Sequence, residues 1–387
     1  MNYYLFETGC RLNQSLTNRL AGDYESKGFS RVSSPKDADL ILMGSCVVTA
    51  KAQNEFMRIY RKLRRENPFA RIEVSGCLKN PDELEHDSEY VRQESILQIE
   101  NPTSFRTRPE IVIQTGCNNF CSYCIVPYMR GSERSRSIYE INRDIDYFLE
   151  RGAKEIVLTG VHIGKYRSGP LNLAGLLREI KKKNIYRVRL SSLDISEIDD
   201  ELIEEIGRDN MVARFIHIPL QHTEDDVLLM MKRKYGKSEA KKKISRLSAI
   251  DGMRLGADII YNFPAESSID FENLLKTLYN LPISHFHLFC YSQRHSTLAS
   301  YFKNAESSNK EKLLLLKELA EKKRGEYAES VIGRHDEILV ESISGEFASG
   351  KSSSYLNCRV KKSTYKIGDV VKVLYKSFDG RNMFCEE

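Results

Sequence analysis

From Tyr3 to Tyr291 the sequence alternates between short apolar or β-branched runs and longer stretches of helical period. Such alternation is the signature of parallel strands joined by crossover helices, and it leaves few other folds open. Residues 1–105 carry strand patterns at Tyr3–Gly9, Asp39–Ser45 and Arg71–Gly76, with helical stretches at Asn13–Gly28 and Ala50–Asn67, so an open parallel-sheet domain is expected. A cysteine follows each strand at once: Cys10, Cys46 and Cys77. The carboxyl ends of parallel strands share one edge, where open sheets bind ligands, so these cysteines are expected to converge.

Residues 106–327 continue the alternation with a longer repeat. Strands are expected at Ile111–Gly116, Glu155–Gly160, Arg187–Ser192, Arg214–Leu220, Ala257–Phe263 and His285–Tyr291, with helices between them that include Ser137–Arg151, Leu171–Asn184, Glu197–Arg208, Ser238–Gly252 and Ile269–Leu281. About six βα units are too few for a closed eight-stranded barrel but suit a partial (βα)6 barrel, with its chemistry at the carboxyl ends of the strands. After a charged helix at Glu311–Tyr327 the pattern changes again. Over residues 328–387, short β-branched runs (Glu337–Val340, Asn357–Val360, Asp369–Leu374) are broken by Gly and Ser, as in Ser344–Gly350, which predicts a small antiparallel β-barrel. Between Lys351 and Arg381 eight basic residues face only Asp369 and Asp379. With Tyr355 and Tyr365 available to stack on bases, this tail suits an RNA-holding module.

The chain has nine cysteines. In a reducing compartment, clustered cysteines are metal ligands or catalytic thiols rather than disulfides; Cys290, Cys358 and Cys385 lie apart from any motif. The run Thr115-Gly-Cys117-Asn-Asn-Phe-Cys121-Ser-Tyr-Cys124 has the spacing CxxxCxxC. Three thiolates in one loop leave one iron of a 4Fe–4S cluster without a protein ligand. That iron can chelate S-adenosylmethionine and pass an electron to its sulfonium, releasing a 5'-deoxyadenosyl radical. A structural zinc site is the alternative, but such sites are closed by four ligands, and no further Cys or His follows Cys124 at a suitable spacing. Any one of Cys10, Cys46 and Cys77 alone could be a small buried hydrophobe. All three at equivalent strand ends, each beside a small residue (Gly9, Ser45, Gly76), favour a second cluster.

Hydrophobic residues make up 41% of the chain and charged residues 29%, the balance of a soluble globular protein. The N-terminal Met1–Glu7 lacks the basic start and long apolar run of a secretion signal, so a cytoplasmic location is expected. The net charge of +5 is gathered in places: Arg58, Arg61, Lys62, Arg64 and Arg65 in one run, and eight basic residues against Glu239 between Lys232 and Arg246. These runs suit either solvated helix faces or a polyanion such as RNA.

Taken together, the motifs resemble the methylthiotransferases of the radical S-adenosylmethionine superfamily over essentially the whole chain. The likeness rests on Thr8-Gly-Cys10-Arg-Leu-Asn13-Gln14, Gly44-Ser-Cys46-Val-Val-Thr49, Val74-Ser-Gly-Cys77, Gly116–Tyr128, Arg130-Gly131 and Glu133–Arg136. It implies an RNA-binding TRAM-like barrel at the C-terminus and a second 4Fe–4S cluster on Cys10, Cys46 and Cys77, whose open iron carries the sulfur to be inserted. It also implies S-adenosylmethionine as both methyl donor and radical source, the tRNA anticodon stem-loop as partner, and an electron donor such as flavodoxin or ferredoxin. Gly9–Gln14 and Leu158–Tyr166 look most like the branch that modifies threonylcarbamoyladenosine beside the anticodon. The isopentenyladenosine branch more often has an acid where Gln14 stands, and Pro219–His222 is similar to a third branch that modifies a ribosomal-protein aspartate. The chain departs from the family's pattern at Ala265, where glycine is usual, and at His222-Thr223, in place of Ser-Gly.

Further roles are carried over by position. Tyr123 stands beside the last cluster cysteine, Thr159 and Gly160 are expected near the methionine part of the cofactor, and Ser191 and Ser192 near its ribose, although each strand-end residue also suits an ordinary turn. Arg130, Arg134 and Arg136 are expected at tRNA phosphate or in a solvated loop. His162, His217 and His222 are expected to be satisfied by neighbouring backbone. A non-catalytic iron-sulfur RNA-binding redox sensor is the reading from another class.

Overall fold

A computed structural model describes residues 1–78, 81–85, 87–99, 107–302, 309–361 and 364–387. The N-terminal sheet is wholly parallel, in the order Ser30–Arg31, Asn2–Phe6, Leu40–Ser45, Arg71–Gly76, Ser88–Tyr90. Successive side chains of a strand point to opposite faces. Accordingly Leu40 and Leu42 pack with Leu20 and Ala21 of helix Arg11–Ser26, while Ile41 and Met43 pack with Phe56, Tyr60 and Leu63 of helix Ala50–Glu66. The outer strands Ser30–Arg31 and Ser88–Tyr90 are too short to leave a periodic signal. The boundary expected at 105/106 lies outside the described residues.

Next, Glu110–Thr115, Glu155–Gly160 and Arg187–Leu190 run parallel, with Arg134–Ser135 antiparallel at the edge. Phe215–Gln221, Arg254–Tyr261 and His285–Cys290 form a second parallel sheet. The sheets meet through the bridge between Val188 and Val212 and the bond from Leu193 N to His217 O (2.9 Å), giving six parallel strands in a partial barrel. One continuous apolar core, from Ile111 to Ile283 and reaching Leu316, fills the space between the strands and their helices. Helix Asn309–Ser330 spans the boundary expected at 327/328 and leads into a closed five-stranded barrel: His335–Ser344, Phe347–Ser352, Asn357–Lys361, Met383–Glu386 and Val370–Phe378 in spatial order. No helix among the described residues is long and apolar enough to cross a membrane.

Two expectations for the tail are corrected. The stretch Ser344–Gly350 was expected only to break strands, yet Phe347–Ser352 is a strand paired with His335–Ser344. Gly350 is needed inside it, because a Cβ there would stand 1.9 Å from Leu339 O. Tyr355 is not free to stack on a base. Its ring lies 4.8 Å from that of Phe215 at an interplanar angle of 15°, and its hydroxyl accepts from Arg11 Nη2 at 2.9 Å, so it seals the tail against the rest of the molecule. Tyr365 packs partly against the barrel core and bonds Glu387.

A buried ion cluster completes that junction. Glu155 pairs with Arg108, Arg187 and Arg189, Arg187 reaches Glu337 (3.2 Å), and Arg189 Nη2 donates to Ser352 O (2.7 Å). Burial alone would raise the Glu155 carboxyl, but the three guanidiniums hold it below the usual carboxylate range. A carboxylate depressed in the folded state stabilises above its unfolded pKa, and that stability is lost as pH falls through the lower folded value. Glu155→Gln should therefore cost roughly 3–5 kcal/mol at pH 7 in anaerobic chemical denaturation. The gap from the wild type should narrow below about pH 4.

Candidate cluster and cofactor site

Two thiol triplets are built at strand ends. Cys10 is the N-cap of helix Arg11–Ser26 and follows Gly9, whose φ is +85°; a Cβ on Gly9 would stand 2.7 Å from Asn13 Nδ2 and 3.3 Å from Cys46 Cβ. Cys46 and Cys77 leave neighbouring strands where Ser45 pairs with Gly76. Ser45 ties these ends together: its carbonyl accepts from Cys77 N (3.1 Å) and Asn13 Nδ2 (2.5 Å), and its hydroxyl lies 2.9 Å from both Ser75 O and Cys77 O. Burial pushes the Cys46 and Cys77 thiols up, and a charge on Cys10 pushes both further, so the three are mutual neighbours.

The CxxxCxxC loop leaves strand Glu110–Thr115 through Gly116, where a Cβ would stand 2.0 Å from Ser132 O. Buried Gln114 holds the loop to the next strand, donating to Gly116 O (2.9 Å) while accepting from Val161 N (3.1 Å) and His162 N (2.8 Å). Ser122 pins the other side, its N donating to Met231 O (3.0 Å) and its Oγ to Met230 O (2.7 Å). Burial raises the Cys117 thiol to about 11 and Cys124 to about 12, with Cys121 adding to both. Adjoining thiols held this high need a cation to become thiolates, which iron supplies. Among the described residues neither triplet has all three sulfur atoms within 4.8 Å of one another, a spread wide of a single ion. Both donor sets fit a multi-iron cluster.

A guanidinium from the second domain reaches the first triplet. Arg130, 5% exposed, donates from Nε to Cys77 Sγ (3.1 Å), from Nη1 to Gln93 Oε1 (2.9 Å) and from Nη2 to Asn13 Oδ1. Arg233 does the same for the second triplet, donating from Nη1 to Cys121 Sγ (3.4 Å) and from Nη2 to Pro219 O (3.0 Å) and Asp194.

These contacts correct the arginine reading. Arg130 is consumed at Cys77, and Arg136 is buried, donating to Asp144 Oδ2 (2.7 Å) and Val112 O (2.9 Å) in a cluster that Arg19 joins. Neither is open to a phosphate; Arg134 alone of the three stays exposed, on the short edge strand. Tyr123 packs its ring against Phe263, with centroids 6.5 Å apart. Thr159 is buried at its strand end, and Gly160 is required by close approach, since a Cβ would stand 2.6 Å from Gln114 O. The Ser191 hydroxyl is buried with no partner among the described residues, whereas Ser192 is exposed. Backbone satisfies only one ring nitrogen of His222: Nδ1 accepts from Glu224 N (3.1 Å), while Nε2 is buried with no hydrogen bond among the described residues, 3.8 Å from Glu266 Oε2. His162 and His217 face the carboxylates of Glu197 and Asp258 instead.

Residues 111–278 match the Radical SAM superfamily, and residues 2–98 match Uncharacterized protein family UPF0004. The threonylcarbamoyladenosine tRNA methylthiotransferase MtaB of Aquifex aeolicus is 32% identical, the match covering 95% of this chain and 99% of that protein. The chain belongs to the radical S-adenosylmethionine methylthiotransferase family. A tRNA-2-methylthio-N(6)-dimethylallyladenosine synthase of Dehalococcoides mccartyi is 29% identical over 88% of this chain and 87% of its own length. Among solved structures, the radical S-adenosylmethionine methyltransferase TsrM of Kitasatospora setae shares the fold, with a TM-score of 0.57 at 12% identity over 90% of this chain and 80% of that one. Methylthiotransferases of this family use S-adenosylmethionine and two 4Fe–4S clusters.

The family's usual glycine has a structural counterpart here: Ala265 takes φ +74°, a left-handed conformation that costs a Cβ-bearing residue about 1 kcal/mol. Ala265→Gly should raise stability by up to about that amount in denaturant titration. Arg130→Met keeps the bulk but leaves Asn13 Oδ1 and Gln93 Oε1 without that donor. Apoprotein stability should fall by roughly 2–5 kcal/mol, read by anaerobic denaturation.

Proposed function

We propose that the chain is a tRNA methylthiotransferase that converts N6-threonylcarbamoyladenosine beside the anticodon to its 2-methylthio derivative. The observation that carries the reading is the pair of thiol triplets at strand ends, with Arg130 of the second domain bonded to Cys77 of the first. The substrate branch is supported by Gly9–Gln14 and Leu158–Tyr166 and by the MtaB relative that spans almost the whole chain. In this reading Cys117, Cys121 and Cys124 hold one 4Fe–4S cluster and Cys10, Cys46 and Cys77 the other, with the protein acting in the cytoplasm on the anticodon stem-loop and an electron donor such as flavodoxin or ferredoxin. When bound, the clusters with S-adenosylmethionine supply a radical and a sulfur, which carbon 2 of an adenine needs because acid-base chemistry does not readily functionalise it.

The chain's own residues prepare that setting. Arg130 and Arg233 each donate an N–H to a cysteine sulfur and offset its negative charge. Gln114 holds the cluster loop and the exit of the next strand as one unit, and the Ser191 hydroxyl, without a partner among the described residues, is free to bond a cofactor ribose. Arg58, Arg61, Lys62 and Arg65, with Lys232, Lys234, Lys241 and Lys242, are exposed, as are Lys366, Lys372, Lys376 and Arg381 on the tail barrel. The tail's charge, with Tyr355 committed to the junction, points to phosphate contacts rather than base stacking.

The deciding assay is mass spectrometry of nucleosides from tRNA incubated with anaerobically reconstituted, reduced enzyme. Appearance of 2-methylthio-threonylcarbamoyladenosine is expected; modification of isopentenyladenosine alone, or of a ribosomal protein with no tRNA product, would move the chain to a sister branch. Absence of 5'-deoxyadenosine would favour a redox sensor. Changing Cys117, Cys121 and Cys124 to Ala should lower bound iron from about eight to about four per chain and abolish 5'-deoxyadenosine release. Changing Cys10, Cys46 and Cys77 should abolish methylthiolated product while release persists. Each exposed tail lysine changed to Ala should flatten the logarithmic salt dependence of tRNA binding by roughly 1 if it contacts a phosphate.

A further inference from the structure

A polar cluster on the inner face of the second sheet lies outside both thiol triplets. Ile216, Ile218, Ala257 and Ile259 pack outward into the helical core, so the strand alternation turns His217 and Asp258 to the opposite face, and Asp258 pairs in register with His287 on the third strand. His217 Nε2 lies 2.8 Å and His287 Nδ1 3.1 Å from the same oxygen, Asp258 Oδ1. Donor atoms of all three residues lie within 4.8 Å of one another. Ligands of a tetrahedral ion at about 2.0–2.1 Å stand roughly 3.3 Å apart, so these atoms need little movement to share one.

The surroundings are built for these side chains. Gly256 pairs with both His217 and His285, and a Cβ on it would stand 2.7 Å from His217 Nδ1 and 3.3 Å from His285 Cδ2. Only a glycine leaves both imidazoles their room. Asp258 Oδ1 stands between the two imidazoles, within hydrogen-bond distance of both. His285 stands beside His287 on the same strand. Its Nε2 lies 3.2 Å from His287 Nε2. The His287 tautomer that donates Nε2–H to His285 turns its Nδ1 lone pair toward Asp258 Oδ1, and that is the form a cation between them would select. His217 is nearly buried and the His287 side chain half exposed, which leaves a path for an ion to enter.

We propose that His217, Asp258 and His287 form a binding site for a divalent transition cation of the zinc or ferrous kind, with its remaining coordination positions open to the barrel interior. Two imidazoles and one carboxylate suit such ions and leave positions for an exogenous ligand. The test uses the full chain with both clusters loaded, so that the thiols are occupied. After anaerobic dialysis against zinc and gel filtration, metal analysis should find about one zinc per chain beside the iron. His287→Ala, at a half-exposed position that does not endanger the fold, and Asp258→Asn should each weaken zinc binding by at least about tenfold in competition with a chelator. Iron content and far-UV circular dichroism should stay unchanged. A holoenzyme that retains no zinc overturns the proposal and leaves a hydrogen-bonded relay, as does zinc binding that survives both substitutions with iron intact.

Discussion

A buried cation with no carboxylate among its bonded partners is the constraint around which the site is arranged. Removing a guanidinium from water costs several kcal/mol, so Arg130 is tolerable only where every face finds an acceptor. It finds them in an amide oxygen on helix Arg11–Ser26, another on the short helix Gln93–Leu97 and a sulfur at the end of strand Arg71–Gly76. Those acceptors meet only if the strand ends of the first domain abut the loop that follows Cys124 in the second. The glycines at 9 and 76 follow from the same demand: a Cβ on either would collide with Asn13, which Arg130 needs as a partner.

The architecture was legible because parallel strands and their helices leave strong periodic patterns. Arg71–Gly76 and Glu155–Gly160 were placed to the residue, and neighbouring elements differ mainly at their ends. What escaped was whatever depends on one contact across the fold. Phe347–Ser352 hides as a strand because Gly and Ser fill it, and their reason, the approach of Leu339 O, is tertiary.

Arginine was the least legible residue type. Arg130, Arg134 and Arg136 lie in one basic run and look alike as sequence, yet two are buried structural cations and one is a surface charge. The difference lies in Asp144 and Asn13, residues 8 and 117 positions away from their arginines. Arg233 repeats the lesson inside the Lys232–Arg246 run, where it belongs to Asp194 and Cys121 rather than to solvent. A usable signal did exist for Arg130: the helix Val126–Arg130 that ends on it directly follows the cysteine loop. Gln114, His162 and Glu197 carried no comparable signal, because their importance comes from backbone groups and rings that only the fold brings near.

The junction at Glu155 bears on how the tail can behave. Held by Arg187 to Glu337, by Arg189 to Ser352 and by the Phe215–Tyr355 stack, the barrel is bolted to the amino-terminal ends of the strands, not hung on a linker. Fixed in this way, and bonded through Tyr355 to Arg11 beside Cys10, the barrel keeps its exposed Lys366, Lys372, Lys376 and Arg381 in one position relative to the cysteine-bearing edges.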